Sequence, residues 1–326
     1  MSRIETIAKG VIDYNRVGYC SEVKRLERYR MIKGDILFSH INSVKHIGKS
    51  AYYEEEQPLY HGMNLLLMRT NSATDSKFLF YLINNSCFLR RCQILAKQAV
   101  NQASLSTSDL KGIEINMPSK SEQKKIAGFI SLLDERIALQ SNLIDRLKSL
   151  MDGIIDKMTA RTPNIFIENC LDCYSSTLQE GETEKQGTYP VYGANGVCGY
   201  LDYATISAPA ILIVKDGSGV GNVSYTNGDC SVVGTLNYLQ PKKGVLAKFL
   251  YFVLKRFNFQ PYKTGMAIPH IYFKTYSKAR IFCPDYEEQS RVAVSLSRIE
   301  DKIALEERLL SLLQEQKHYL LSVMFI

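Results

Sequence analysis

The sequence predicts an α+β protein. Two mixed α/β domains are each followed by a long helix, the two helices pack antiparallel in coiled-coil fashion, and the whole is a pseudo-two-fold internal repeat. Three observations carry this. Residues 118–158 and 284–324 align without a gap at a constant offset of 166. Both stretches place apolar residues alternately three and four apart, the period of a helix seam. Upstream of each lie β-branched and aromatic runs broken by Gly, Asn and Asp, the composition of strands and turns. The implied domains are 1–117, a first long helix 118–162, a second domain 163–283 and a second long helix 284–326.

In the first domain, Ile36-Leu37-Phe38 and the later Ile47-Gly48-Lys49-Ser50-Ala51 read as strands with a turn. They resemble Ile211-Leu212-Ile213 and Val220-Gly221-Asn222-Val223-Ser224 in the second domain. Lys77-Phe78-Leu79-Phe80-Tyr81-Leu82 likewise matches Lys248-Phe249-Leu250-Tyr251-Phe252-Val253. The second domain opens with Ile165-Phe166-Ile167-Glu168-Asn169-Cys170-Leu171, which has no counterpart before Met1. The first domain is therefore expected to be short at its N-terminus, as a compact variant or the product of a truncated or rearranged gene.

Each long helix opens with the same start signal, Ser119-x-x-Glu122 and Asp285-x-x-Glu288, after a proline. The expected seam in the first is Ile126, Ile130, Leu133, Ile137, Gln140, Ile144, Leu147, Met151, Ile154 and Met158. In the second it is Val292, Leu296, Ile299, Ile303, Glu306, Leu310, Leu313, Leu320 and Met324. Gln140 and Glu306 interrupt it at equivalent places, either to fix register or because the position lies at a wet edge. About 38 helical residues make a rod on the order of 57 Å, a spacer as much as a core.

Composition narrows the function. The net charge of +7 is mild, but its distribution is uneven: +5 in residues 1–117, +2 in 118–162, +3 in 163–283 and −3 in 284–326. Positive charge concentrated in the domains suits a polyanion. No long uncharged apolar window predicts a membrane span, and Met1-Ser2-Arg3-Ile4-Glu5 lacks the apolar core of a signal peptide, so a cytoplasmic protein is expected. Six of the eight cysteines (Cys20, Cys87, Cys92, Cys198, Cys230 and Cys283) are scattered and read as small buried hydrophobes. Cys170 and Cys173 form one CxxC, half of a zinc site that Cys198 or Cys230 could complete; the simpler expectation is no metal. Asp216-Gly217-Ser218-Gly219-Val220-Gly221-Asn222 resembles a dinucleotide loop, but Val223-Ser224-Tyr225 continues as a strand where such a loop must open a helix. There is no Walker A loop, HExxH, nucleophile elbow or Asn/Asp-Pro-Pro-Tyr/Phe motif, so no catalytic centre is expected.

The motif Pro-x-x-x-Glu-Gln-x-x-Ile/Val opens both long helices, as Pro118 to Ile126 and as Pro284 to Val292. It resembles the specificity subunit of type I restriction–modification enzymes. Lys33-Gly34-Asp35-Ile36-Leu37-Phe38, the turn Gly265 to Ile271 with its counterpart Ala99 to Leu105, and Tyr189-Pro190-Val191-Tyr192-Gly193-Ala194-Asn195-Gly196 are also similar to segments of that family. The resemblance implies two target-recognition domains, each reading one half of a split site in double-stranded DNA, and helices that set the gap and dock modification (methyltransferase) subunits. It further implies that restriction (motor and nuclease) subunits join the complex. AdoMet and ATP would then belong to these partners, and this chain would hold no cofactor and do no chemistry.

Amide and arginine side chains read base edges, whereas lysines mostly hold phosphates. On that basis the expected DNA contacts in the first domain are Lys45, His46, Lys49, Lys97, Gln98, Asn101 and Gln102. In the second they are Tyr192, Asn195, Lys215, Ser218, Asn222, Lys263, Thr264 and His270. The competing expectation is a truncated scaffold that docks partners through its helices without reading DNA.

Overall fold

The computed structural model describes residues 1–8, 10–19, 26–54, 56–98 and 102–325. After short 3-10 turns the chain forms β1 (Ile36–Phe38), β2 (Ile41–Asn42), β3 (Ser50–Tyr52) and β4 (Leu66–Met68). There follow α1 (Ser76–Ile83), α2 (Ser86–Leu95), β5 (Lys97–Gln98), β6 (Ala103–Ser104), α3 (Thr107–Lys111) and the long α4 (Lys120–Thr159). The second half runs through β7 (Ile165–Phe166), α5 (Ile167–Cys170), β8 (Leu171–Ser175), β9 (Tyr189–Gly193), β10 (Gly196–Leu201), β11 (Ala210–Val214) and β12 (Val223–Thr226). It ends with β13 (Ser231–Val232), β14 (Leu236–Pro241), α6 (Ala247–Lys255), α7 (Phe273–Tyr276), β15 (Arg280–Ile281) and the long α8 (Tyr286–Met324). Two compact units result: residues 1–141 with 308–326, and residues 142–307. Each takes part of both long helices.

In the first unit β1 is paired antiparallel on both sides, in the order β3-β1-β4. Strand side chains alternate between faces, so Ile36 and Phe38 enter one apolar cluster with Phe78, Leu82 and Phe88 of α1 and α2. Leu37 points the other way, into a second cluster with Ile7, Met31 and Tyr53. Asp75 caps α1 by accepting the amides of Lys77 and Phe78 at 3.1 and 2.9 Å. Asn85 caps α2 through Phe88 at 2.7 Å, so each helix begins where a side-chain acceptor meets its free amides. Ala127 and Ile130 of α4 complete the first cluster, with Leu321 and Phe325 packed on it.

In the second unit the sheet order is β12-β11-β14-β8. All five residues of β11 are buried. Ala210, Leu212 and Val214 face one core, with Val191, Val232 and Leu236. Helix α6 covers β11 and β12, bringing the fully buried Phe249 and Phe252. Each such aromatic contributes roughly 1.5–3 kcal/mol. Strands β7 and β15 pair antiparallel, joining the chain that leaves α4 to the chain that enters α8. Bidentate contacts from Arg256 to Asp156, at 2.9 and 2.7 Å, tie the end of α6 to α4.

Both start signals form: Ser119 Oγ accepts the Glu122 amide at 3.3 Å and Asp285 Oδ1 accepts that of Glu288 at 2.8 Å. Within each unit the two helical stretches run antiparallel. Lys317 reaches Asp134 in the first unit, and Lys148 reaches Glu307 and Arg161 reaches Glu288 in the second. Of the seam positions, Ile130, Ile144, Met151, Met158, Leu296, Ile303, Glu306 and Leu313 are buried. Ile126, Leu133, Ile137, Gln140, Leu147, Ile154, Val292, Ile299, Leu310, Leu320 and Met324 are half-buried. Glu306, 6% exposed, is paired with Lys302 on its own helix. Among the described residues no helix is long and apolar enough to cross a membrane.

Candidate nucleic-acid interface

The second unit gathers most of its predicted contact residues by interlocking two loops. Residues 215–222 link β11 to β12, and residues 263–271 follow α6. The Gly217 amide donates to Pro269 O at 2.9 Å, and the Ile271 amide donates to Lys215 O at 2.9 Å. Thr264 and His270 exchange backbone hydrogen bonds across a tight turn. Gly265 in that turn has φ +86°, and a Cβ there would collide with the Ile268 carbonyl, so glycine is required. Lys215, Thr264 and His270 are thereby brought together, Lys263 adjoins Thr264, and Ser218 and Asn222 are exposed on the first loop.

Asp216 lies among them. Its carboxylate pairs with Lys215 and stands 3.1 Å from His270 Nδ1. A carboxylate facing Nδ1 favours the proton on that nitrogen and leaves Nε2 as an acceptor in the neutral ring. The turn beyond carries fully exposed Met266 and exposed Ile268.

Asn195 is exposed in the turn between β9 and β10 and lines a cleft of about 550 Å³. Thr235 also lines the cleft, and its carbonyl accepts the Lys215 amide at 2.9 Å, so the cleft adjoins the loops. Tyr192, in β9, is half-buried and packs partly against the core of this unit.

In the first unit a small sheet, β2-β6-β5, gathers the candidates. Lys97 and Gln98 form its exposed edge, and Gln102 is exposed just before β6. Lys45 and His46 sit in the 3-10 turn after β2. The His46 Nδ1 is buried without a hydrogen-bond partner among the described residues. Burial, then the charges of Lys49 and Lys45, lower its pKa and favour the neutral ring. Lys49 is partly committed, donating to Ala8 O at 3.0 Å. Asn101 lies outside the described residues.

Two pairs of residues that sequence reasoning missed tie each domain to its long helix. Gln123 and Gln289 are each 2% exposed. Their Nε2 groups donate to Pro118 O and Pro284 O, both at 2.9 Å. Their Oε1 atoms accept the amides of Asp75 and Leu246, both at 2.8 Å, at the starts of α1 and α6. The second pair is tyrosine and acid: Tyr81 donates to Asp134 at 2.9 Å and Tyr251 to Glu300 at 2.6 Å. Among the described residues no group of three or more His, Cys, Asp or Glu is placed to hold a metal ion. Cys198 and Cys230 pack in the core of the second unit.

The family model described as the type I restriction modification DNA specificity domain matches residues 3–149 and again 173–315. The chain belongs to this family. Its two matched regions follow the internal repeat, each ending within a long helix. A putative type I restriction enzyme specificity subunit of Methanocaldococcus jannaschii is 41% identical over 162 residues, covering 48% of this chain and 38% of that protein. A putative type I specificity subunit of Mycoplasma genitalium is 27% identical over 171 residues, 46% of this chain and 44% of its own length. The chain thus matches less than half the length of either relative. The crystal structure of a type I restriction–modification S subunit from M. genitalium has the same fold, with a TM-score of 0.67 at 20% identity over 91% of this chain and 84% of that one.

Proposed function

We propose that this specificity-domain protein is the non-catalytic, DNA-reading subunit of a type I restriction–modification complex in the cytoplasm. Each domain reads one half of a bipartite site in double-stranded DNA. The interlocked loops of the second unit support this most directly, since they bring Lys215, Thr264 and His270 together, with Lys263 next in sequence, beside the Asn195 cleft. That grouping combines cations for phosphates with short polar groups able to meet base edges. The sheet bearing Lys97 and Gln98 serves the same purpose in the first unit.

The long helices dock the modification subunits. Besides the seam they carry exposed apolar residues: Phe129, Leu132 and Leu139 in the first unit, Leu150 and Leu305 in the second. Exposed apolar side chains recurring along a helix suit a partner helix or groove. AdoMet would be bound by those modification subunits, and ATP by the motor subunits that join them.

The test is a salt titration of binding to duplex DNA containing the target site. Binding through phosphates gives log K falling linearly with log salt. A chain that only docks partners shows no DNA binding at any salt.

A further inference from the structure

Cys170 and Cys173, neighbours as a CxxC in sequence, part company in the structure. Cys173 lies in β8, opposite Leu239 of β14. Cys170 ends α5 and donates its thiol hydrogen to Cys283 Sγ, at the other end of the domain's sequence. Cys283 Sγ lies 3.9 Å from Pro284 O, the carbonyl that also accepts the Gln289 side chain at the start of α8. The two thiols thus meet at the joint between the opening segment of the second domain and its long helix.

The surrounding main chain holds both residues in place. The Cys283 amide donates to Asn164 Oδ1 at 2.9 Å, and its carbonyl accepts from Asn164 Nδ2 at 2.7 Å. The Ile167 and Glu168 amides donate to the Ala279 and Ser277 carbonyls, both at 3.1 Å, and the Cys170 carbonyl accepts the Lys242 amide at 2.9 Å. Cys170 is fully buried, whereas Cys283 is partly exposed, so a reagent from solvent meets Cys283 first. The hydrogen bond from Cys170 pulls the Cys283 thiol down from its ordinary value, against the effect of burial. The same bond, and then burial, push Cys170 up. The thiolate is the reactive form, so the accessible member of the pair is the nucleophile and the buried one is its reserve. At the repeat offset the first unit has Met117 in place of Cys283, so the arrangement belongs to the second domain.

We propose that Cys170 and Cys283 are a redox modification site, which hydroperoxides oxidise to a reversible disulfide that locks the second domain to the entry of α8. The Cys283 thiolate attacks one peroxide oxygen. An S–O bond forms as the O–O bond breaks, and the departing oxygen takes the proton that the thiol released. With hydrogen peroxide this gives a sulfenic acid and one water. Cys170 Sγ then attacks the Cys283 sulfur. The S–S bond forms, the S–O bond breaks, and the hydroxyl leaves with the Cys170 proton as a second water. Two electrons pass from the two sulfurs to the peroxide. The sulfurs, already in hydrogen-bond contact, close to ~2.05 Å. The proposal is independent of DNA recognition.

The probe is hydrogen peroxide, added in slight excess to the reduced full chain. Remaining thiols are then alkylated and the digest is read by mass spectrometry. A Cys170–Cys283 cross-linked peptide is expected, two hydrogens lighter than its two thiol peptides together and removed by dithiothreitol. The bridged chain should melt above the reduced one, because the bond closes a long loop. Cys87→Ser, which removes an exposed thiol, should leave the yield of the bridge within about twofold, whereas Cys283→Ser should slow oxidation of Cys170 at least about tenfold. The measurement on the unaltered chain decides the matter even where a variant folds poorly. Cys283 recovered as a sulfinic acid or bridged to another cysteine, with Cys170 still open to alkylation after unfolding, overturns the proposal. So does a Cys170–Cys283 bridge that leaves the melting temperature unchanged, since it would lock nothing.

Discussion

Tyr251 donates its hydroxyl hydrogen to Glu300 at 2.6 Å, and Lys248 approaches the other carboxylate oxygen at 2.8 Å, so one acid on α8 holds two residues of α6. The first repeat builds the same tether from Tyr81 and Asp134. The two tyrosines are not aligned: Tyr81 matches Phe252 in sequence, and Tyr251 matches Phe80. A shift of one residue along the domain helix still delivers a phenol to the same point of the long helix, which indicates that the joint between domain and spacer is the preserved feature.

Removing that hydroxyl should loosen the joint. Tyr251→Phe leaves a half-buried carboxylate short of one donor and is expected to cost about 1–3 kcal/mol, read from chemical denaturation. Burial alone would raise the Glu300 pKa, but the hydrogen bonds from Lys248 and Tyr251 and the charges of Lys248 and Lys255 outweigh it, and the net shift is downward. A depressed carboxylate pKa contributes stability above its unfolded value of about 4.3, lost as pH falls through the folded value. Glu300→Gln should therefore flatten the acid limb of the stability profile and leave its shape near pH 8 unchanged.

Gln289→Leu keeps most of the side-chain volume but strands the Leu246 amide and the Pro284 carbonyl. Each unsatisfied buried group costs about 1–3 kcal/mol, so the variant should melt well below the parent. Gln123→Leu should behave alike in the first unit. Melting temperatures by calorimetry decide it.

Leu313 is 5% exposed and Leu147 half-buried. Leu313→Asp buries an unpaired carboxylate and should cost roughly 3–5 kcal/mol, with Leu147→Asp costing less. Equal and small losses would refute the seam assignment.

Lys215→Ala and Lys263→Ala should each lower the slope of log K against log salt by about 0.9 without changing the melting temperature. Asp216→Asn should act oppositely. It frees Lys215 and removes a negative charge from a surface that faces phosphates, so binding should tighten and depend more steeply on salt.

The helices were legible because their signals are local: Ser119 and Asp285 announce the starts, and apolar spacing announces the buried face. The same signals pointed only to the glutamate of the Glu-Gln pair, whereas the structure gives the central role to Gln123 and Gln289, whose partners lie 48 and 43 residues away. Lys215 and His270 read as loop residues, but their union through Asp216 joins positions 54 apart in sequence and left no local pattern. Tyr192, a predicted contact residue, is half-buried and packs partly against the same core cluster as Val191.

Selection of the DNA site by this chain can be measured by mapping adenine methylation in cells that express it with its modification subunit, against cells lacking both. A new bipartite methylated motif of fixed gap is expected, one half of which is lost or altered when Lys215, Thr264 and His270 are replaced by alanine. A complex that co-purifies yet adds no methylation, or a motif unchanged by those substitutions, would contradict it.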